Sequence, residues 1–119
     1  MLNKTKWHID HITSPAGQPV SVLRFEGDIA ATSKDEFLGC YASLPKESSK
    51  LILLDFTKVG YINSSGITLV IHLLMEGYAH AQKVSVFGLS PHFTKIFTVA
   101  GITKYAGLFR NQTEAMAAL

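Results

Sequence analysis

The 119 residues contain a single cysteine, Cys40, so neither an intrachain disulfide framework nor a cysteine-rich metal knuckle can be built. Charge is scarce as well. Eleven Lys/Arg stand against 9 Asp/Glu, a net +2 with only 17% charged residues, far from the basic patch that nucleic-acid binding requires. No apolar run approaches the roughly 20 residues that span a bilayer, which argues against membrane insertion. The first residues, Met1 to His8, lack the apolar segment of a secretory signal, so a cytoplasmic protein is expected. Neither G-x-x-x-x-G-K-[ST] nor G-x-G-x-x-G occurs, so no nucleotide cofactor is expected. What the chain does have is apolar content, 47%, enough for a sizeable core in one domain over residues 1–119.

Alternation from Trp7 to Thr13, with a shift to Ile12, and the apolar-rich run Val20 to Phe25, in which Val22 and Leu23 are adjacent, predict two strands joined by the turn residues 14–19, with Gly27 and Asp28 ending the second. Ser33 three residues before Glu36 has the spacing of a capping box, and Phe37, Cys40, Tyr41 and Leu44 then recur at helical spacing up to Pro45. Leu51 to Leu54 reads as a central strand ended by Asp55. After Gly66, residues Ile67, Val70, Ile71, Leu74 and Tyr78 make a helical stripe. Leu69, Leu73 and Met75 lie off that stripe, leaving an apolar surplus that can serve as core or as a partner surface. Val84 to Phe87 is the next strand. Ser90 and Pro91 start a helix whose Phe93, Ile96, Phe97 and Ala100 should face inward, and Gly101 stops it. A short strand over 105–109 and a last helical turn or two from Thr113 complete the chain. The order β-β-α-β-α-β-α implies crossover connections, hence an α/β fold with a mixed, partly parallel sheet of four or five strands and about four helices.

The junction Asn63-Ser64-Ser65-Gly66 is the sharpest chemical feature. It places two hydroxyls at a helix start, where backbone N–H groups lack partners and the helix dipole favours negative charge. Such a loop is either an ordinary cap or a phosphorylatable switch, since a phosphate there adds about −1.5 to −2 charge while gaining from the dipole. A serine hydrolase would need a glycine two residues before the nucleophile, where Ser64 has Ile62 and Ser65 has Asn63. His72, Glu76 and His80 are spaced by four, but three such residues span about 12 Å of helix, too far for one ion, so no metal is expected.

The run Asp55 to Ile67, with Asn63-Ser64-Ser65-Gly66 at its centre, resembles the signature of STAS domains, the bacterial anti-sigma-factor antagonists. Further matches follow in order: Gly27-Asp28-Ile29 with Thr32, Val86 to Pro91, Phe97 to Ile102, and Glu114-Ala115. The resemblance implies a STAS-type single domain without catalytic residues, in which Ser64 is the phosphoacceptor. It further implies binding, when unphosphorylated, to an ATP-dependent serine kinase that is also an anti-sigma factor. Phosphorylation ends that complex and a phosphoserine phosphatase restores it. The partner surface would comprise Asn63, Ser64, Ser65, Gly66, Thr68, His72 and Asp28. The chain departs from the regulatory pattern at Asn63, where those members carry Asp, and at Ala30, where an acidic residue is frequent. Some stand-alone STAS proteins that this chain resembles are instead small subunits docked on the ATPase of ABC lipid-transport systems, with no phosphoswitch.

Overall fold

The computed structural model describes residues 2–119. Five strands lie side by side in the order β1-β2-β3-β4-β5, which is also their order in the chain. The hairpin is as expected: β1 (Lys6–Thr13) pairs antiparallel with β2 (Pro19–Ile29). The strands β3 (Leu51–Ile62), β4 (Lys83–Phe87) and β5 (Ala106–Phe109) then add in parallel. The helices are α1 (Lys34–Ala42), α2 (Ser64–Ala79), α3 (Pro91–Val99) and α4 (Gln112–Ala117).

Strand alternation divides the core between two faces. On one face Leu23, Phe25, Ile52, Leu54, Phe56, Val84 and Val86 pack against α1, α2 and α3, with Phe37, Val70, Leu73, Leu74 and Phe97 filling the layer. On the other, Val20, Val22, Leu53 and Phe87 are covered by Ala115 and Met116 of the short α4. One face is therefore thickly covered and the other thinly. The thin face also carries an ionic row: Arg24 Nε donates to Asp10 Oδ2 at 2.6 Å, Nη1 to Asp55 Oδ2 at 2.8 Å, and Nη2 to Gln112 Oε1 at 3.0 Å. Partial burial disfavours the guanidinium charge, but the bonds to both carboxylates outweigh it and the Arg24 pKa rises. The bond to Arg24 holds Asp10 below its ordinary value.

Two strands outrun their sequence-based ends. Neither Gly27-Asp28 nor Asp55 stops its strand: β2 continues to Ile29 and β3 to Ile62, paired through two register shifts, Arg24/Glu26 and Gly27/Asp28. Gly27 accommodates the irregularity with φ +91°, and a Cβ there would lie 2.2 Å from the Lys4 carbonyl oxygen. Asp55 turns its carboxylate to the chain itself, where Oδ1 accepts from Thr57 N–H at 2.9 Å. Since β4 ends opposite Asp55, the second half of β3 has only β2 for a neighbour and forms a two-stranded arm beyond the body of the sheet.

The helices also differ from expectation in detail. The Ser33 hydroxyl makes no capping bond to α1; it accepts from Ala30 N–H at 3.0 Å and donates to the Asp28 carbonyl at 3.2 Å, closing a short 3-10 turn over 31–33. In α2 the buried face is Gly66, Leu69, Val70, Leu73, Leu74 and Gly77, rotated from the expected stripe, because Leu69 and Leu73 reach the core while Tyr78 is 65% exposed. In α3 only Phe97 is fully buried, Phe93 and Ile96 are half-buried, and Ala100 is exposed. Ser90 caps α3 as expected, accepting from Phe93 N–H at 3.3 Å.

Candidate functional site

The tip of the arm delivers the serine loop. Asn63 N–H donates to the Ile29 carbonyl at 3.1 Å, which ties the end of β3 to the end of β2. Asn63 is then the N-cap of α2, its Oδ1 accepting from Gly66 N–H at 2.9 Å. Gly66 is fixed by contact: a Cβ there would lie 2.1 Å from the Ile29 carbonyl oxygen and 2.9 Å from Ile62 Cγ2. The start of α2 is thus pressed onto the arm, with the two serines between these anchors facing solvent.

Ser64 and Ser65 are both exposed, and among the described residues neither hydroxyl makes a hydrogen bond, although the Ser64 carbonyl accepts from Thr68 Oγ1 at 3.1 Å. The first-turn N–H groups of a helix have no intrahelical acceptor, and the dipole adds partial positive charge there. Chemically the loop offers two free primary hydroxyls at a position that stabilises an added anion.

Positions three and four residues apart share a helix face, so Ser64 is continued by Ile67, Thr68, Ile71, Met75 and Tyr78. Of these Thr68, Met75 and Tyr78 are exposed, with Met75 at 50%, while Ile67 and Ile71 are half-buried. His72 is exposed on the flank of this stripe. Tyr61 on the arm, itself 49% exposed, extends the apolar area and meets Phe93 of α3 edge-on at 6.1 Å. Of the apolar surplus expected off the stripe, Leu69 and Leu73 are core, and only Met75 joins Thr68 and His72 at the surface.

Asp28 stands apart from this surface. It is 8% exposed, and its carboxylate accepts from Asn3 N–H at 2.7 Å while its own N–H donates to the Asn3 carbonyl at 3.0 Å. Its carbonyl also accepts from Thr5 Oγ1 at 2.6 Å. The acid is committed to holding the N-terminal segment against the arm, one residue before the Ile29 carbonyl that anchors the serine loop. Asn63, Ser64, Ser65, Gly66, Thr68 and His72 are brought together at one end of α2; Asp28 supports them from beneath.

Among the described residues no three His, Cys, Asp or Glu side chains gather as metal ligands. His80 Nδ1 lies 2.8 Å from the Glu76 carbonyl, a local helix-end contact. No helix of the described residues is long and apolar enough to cross a membrane.

Comparison with known proteins places this geometry. A family model described as "Mlab, STAS domain" matches residues 14–110. Among solved structures the fold is similar to an anti-sigma factor antagonist from Mycobacterium paratuberculosis, with TM-score 0.72 and 15% identity over 97% of this chain and 93% of the other. It is similar to the Bacillus cell fate determinant SpoIIAA in its phosphorylated form, with TM-score 0.67 and 18% identity over 95% and 98%. It is also similar to a sulfate transporter family protein from Wolinella succinogenes, with TM-score 0.73 and 15% identity over 90% and 87%. A search of curated proteins gives no match.

Proposed function

Because this chain belongs to the STAS-domain family, we propose that it is an anti-sigma-factor antagonist working by protein–protein contact, with Ser64 as its phosphorylation switch. Unphosphorylated, it binds an ATP-dependent serine kinase that is also an anti-sigma factor; phosphorylation of Ser64 by that kinase ends the complex, and a phosphoserine phosphatase resets it. The protein is itself no enzyme in this scheme. The observation that carries the reading is the state of Ser64: an exposed, unbonded hydroxyl locked in place between Asn63 and Gly66 at the head of a partly apolar helix face.

The energetics favour a switch at this position. Ser64 shares a face with Ile71, Met75 and Tyr78, so a partner that covers those side chains also covers the hydroxyl. A phosphate of about −1.5 to −2 charge in that contact must be desolvated and repels any carboxylate opposite. A loss of about 1.4 kcal/mol already weakens binding tenfold.

One observation favours a second reading. Asn63 caps α2 without a charge, so the loop is complete as a passive helix start, and the same fold occurs in a sulfate transporter family protein. On that reading the chain is a small STAS subunit docked on the ATPase of an ABC lipid-transport system. Capture of partners from the native host with Ser64→Ala and Ser64→Glu baits separates the two. An ATP-binding serine kinase recovered with Ser64→Ala and not with Ser64→Glu supports the switch; a transport ATPase recovered with both supports the subunit.

A further inference from the structure

The carboxyl ends of β4 and β5 open onto a recess that the serine loop does not use. A cavity of about 440 Å³ lies there, between the start of α3 and the last residues of β5. Its apolar wall is formed by Leu89, Leu108 and Phe109, each only half-buried by the rest of the protein. Sites of roughly 300–1,000 Å³ hold small molecules.

The charges around the recess settle its sign. Three ionic side chains line it: Lys95, Arg110 and Glu114. Arg110 and Glu114 satisfy each other, with Nη2 and Nε donating to Oε2 at 2.6 and 3.0 Å and the Arg110 N–H donating to Oε1 at 3.1 Å. Lys95 is the remaining charge, and it forms no ion pair among the described residues. No Asp or Glu occurs anywhere between Glu76 and Glu114 in the sequence, so the whole β4–α3–β5 segment offers no carboxylate to Lys95. An apolar wall with one uncompensated ammonium at its rim is complementary to an apolar body carrying one negative charge.

We propose that this recess binds a small amphiphilic monoanion of medium-chain carboxylate type, its apolar body against Leu89, Leu108 and Phe109 and its carboxylate on the Lys95 ammonium. The site is separate from the Ser64 surface and does not depend on the proposed switch.

The test is a titration of the intact protein followed by ¹H–¹⁵N NMR, with octanoate as the probe and octylammonium as its charge-reversed control. The proposal expects saturable shifts centred on the amides of Leu89, Lys95 and Phe109, and at least fivefold weaker binding of octylammonium. Lys95→Gln, an exposed change on α3, should weaken octanoate about fivefold, the upper range for a solvent-accessible ion pair. Leu108→Trp should fill the cavity and abolish the shifts; if that variant loses its dispersed spectrum, Lys95→Gln decides alone. Absence of saturable shifts up to roughly 10 mM octanoate would overturn the proposal. So would equal affinity for the two probes, or shifts centred on α2.

Discussion

Ser33 and Ser64 both stand at the start of a helix that follows a strand, and they have opposite fates. Ser33 is 4% exposed, and its hydroxyl is engaged with Thr5 Oγ1 at 2.6 Å, with Ala30 N–H and with the Asp28 carbonyl. Ser64 is exposed and its hydroxyl bonds to none of the described residues, because Asn63 has already taken the capping role and Gly66 holds the turn against Ile29. A hydroxyl consumed by structure stabilises; a hydroxyl relieved of structural duty is available for chemistry. The difference lies in the N-cap: Ala30, at the head of the 3-10 turn that contains Ser33, has no side chain with which to cap, whereas Asn63 at the head of α2 does.

The largest expected effect falls on the anchor rather than on either serine. Gly66→Ala drives a methyl into the Ile29 carbonyl, a backbone atom that cannot yield without moving the arm. A loss of about 2–3 kcal/mol is expected, the upper part of the range for overpacking, and chemical denaturation measures it. If stability is unchanged, the serine loop is not clamped as described.

The serine pair itself gives the next contrast. Ser33→Ala removes a buried hydroxyl and leaves the Ala30 N–H without its acceptor, which should destabilise by about 1–3 kcal/mol. Ser64→Ala should change stability by no more than about 0.5 kcal/mol, as for surface positions without structural bonds. Equal losses in denaturant melts would erase the distinction between the two sites.

Asn63→Ala should cost about 1 kcal/mol through loss of the cap. Asn63→Asp should keep the cap and gain a few tenths of a kcal/mol from the helix dipole. Thermal melts of the two variants check the order, and an Asn63→Ala variant as stable as the parent would remove Asn63 from its anchoring role.

The smallest effect is one of acidity on the far face. Asp10 has its pKa lowered chiefly by the hydrogen bond from Arg24, so its contribution is fully present above the ordinary value of 3.8 and is lost as pH falls through the lower folded value. Arg24→Gln should flatten the acid limb of the stability profile below that value. It should leave partner binding at the Ser64 surface unchanged, since the ionic row lies on the other side of the sheet.

Much of this architecture was legible because it is written locally. The Ser90-Pro91 start of α3, the Gly101 stop and the Asn63 to Gly66 junction each depend on residues within a few positions of one another, and each is where the pattern puts it. The arm was not legible. Its length depends on register between β2 and β3, and Gly27, ordinarily a strand breaker, occupies a bulge whose reason is the Lys4 carbonyl 23 positions away. The Ser33 capping box failed for a similar cause, since Thr5 and Asp28 come to it from other elements. The face of α2 was misassigned because the helix is apolar on two sides, and periodicity alone cannot say which side meets the sheet. Asp28, which the family resemblance puts on the partner surface, is buried and braces the N-terminal segment, a contact with Asn3 that no local pattern announces.

The central claim is that a phosphate on Ser64 breaks a contact made through the exposed face of α2. Its most direct test is calorimetric titration of the ATP-binding partner recovered with the Ser64→Ala bait against two forms of this protein, unmodified and phosphorylated at Ser64. The account predicts affinity at least tenfold weaker for the phosphorylated form, about 1.4 kcal/mol or more. Equal affinity of the two forms would contradict it and leave Ser64 as the first residue of a passive helix.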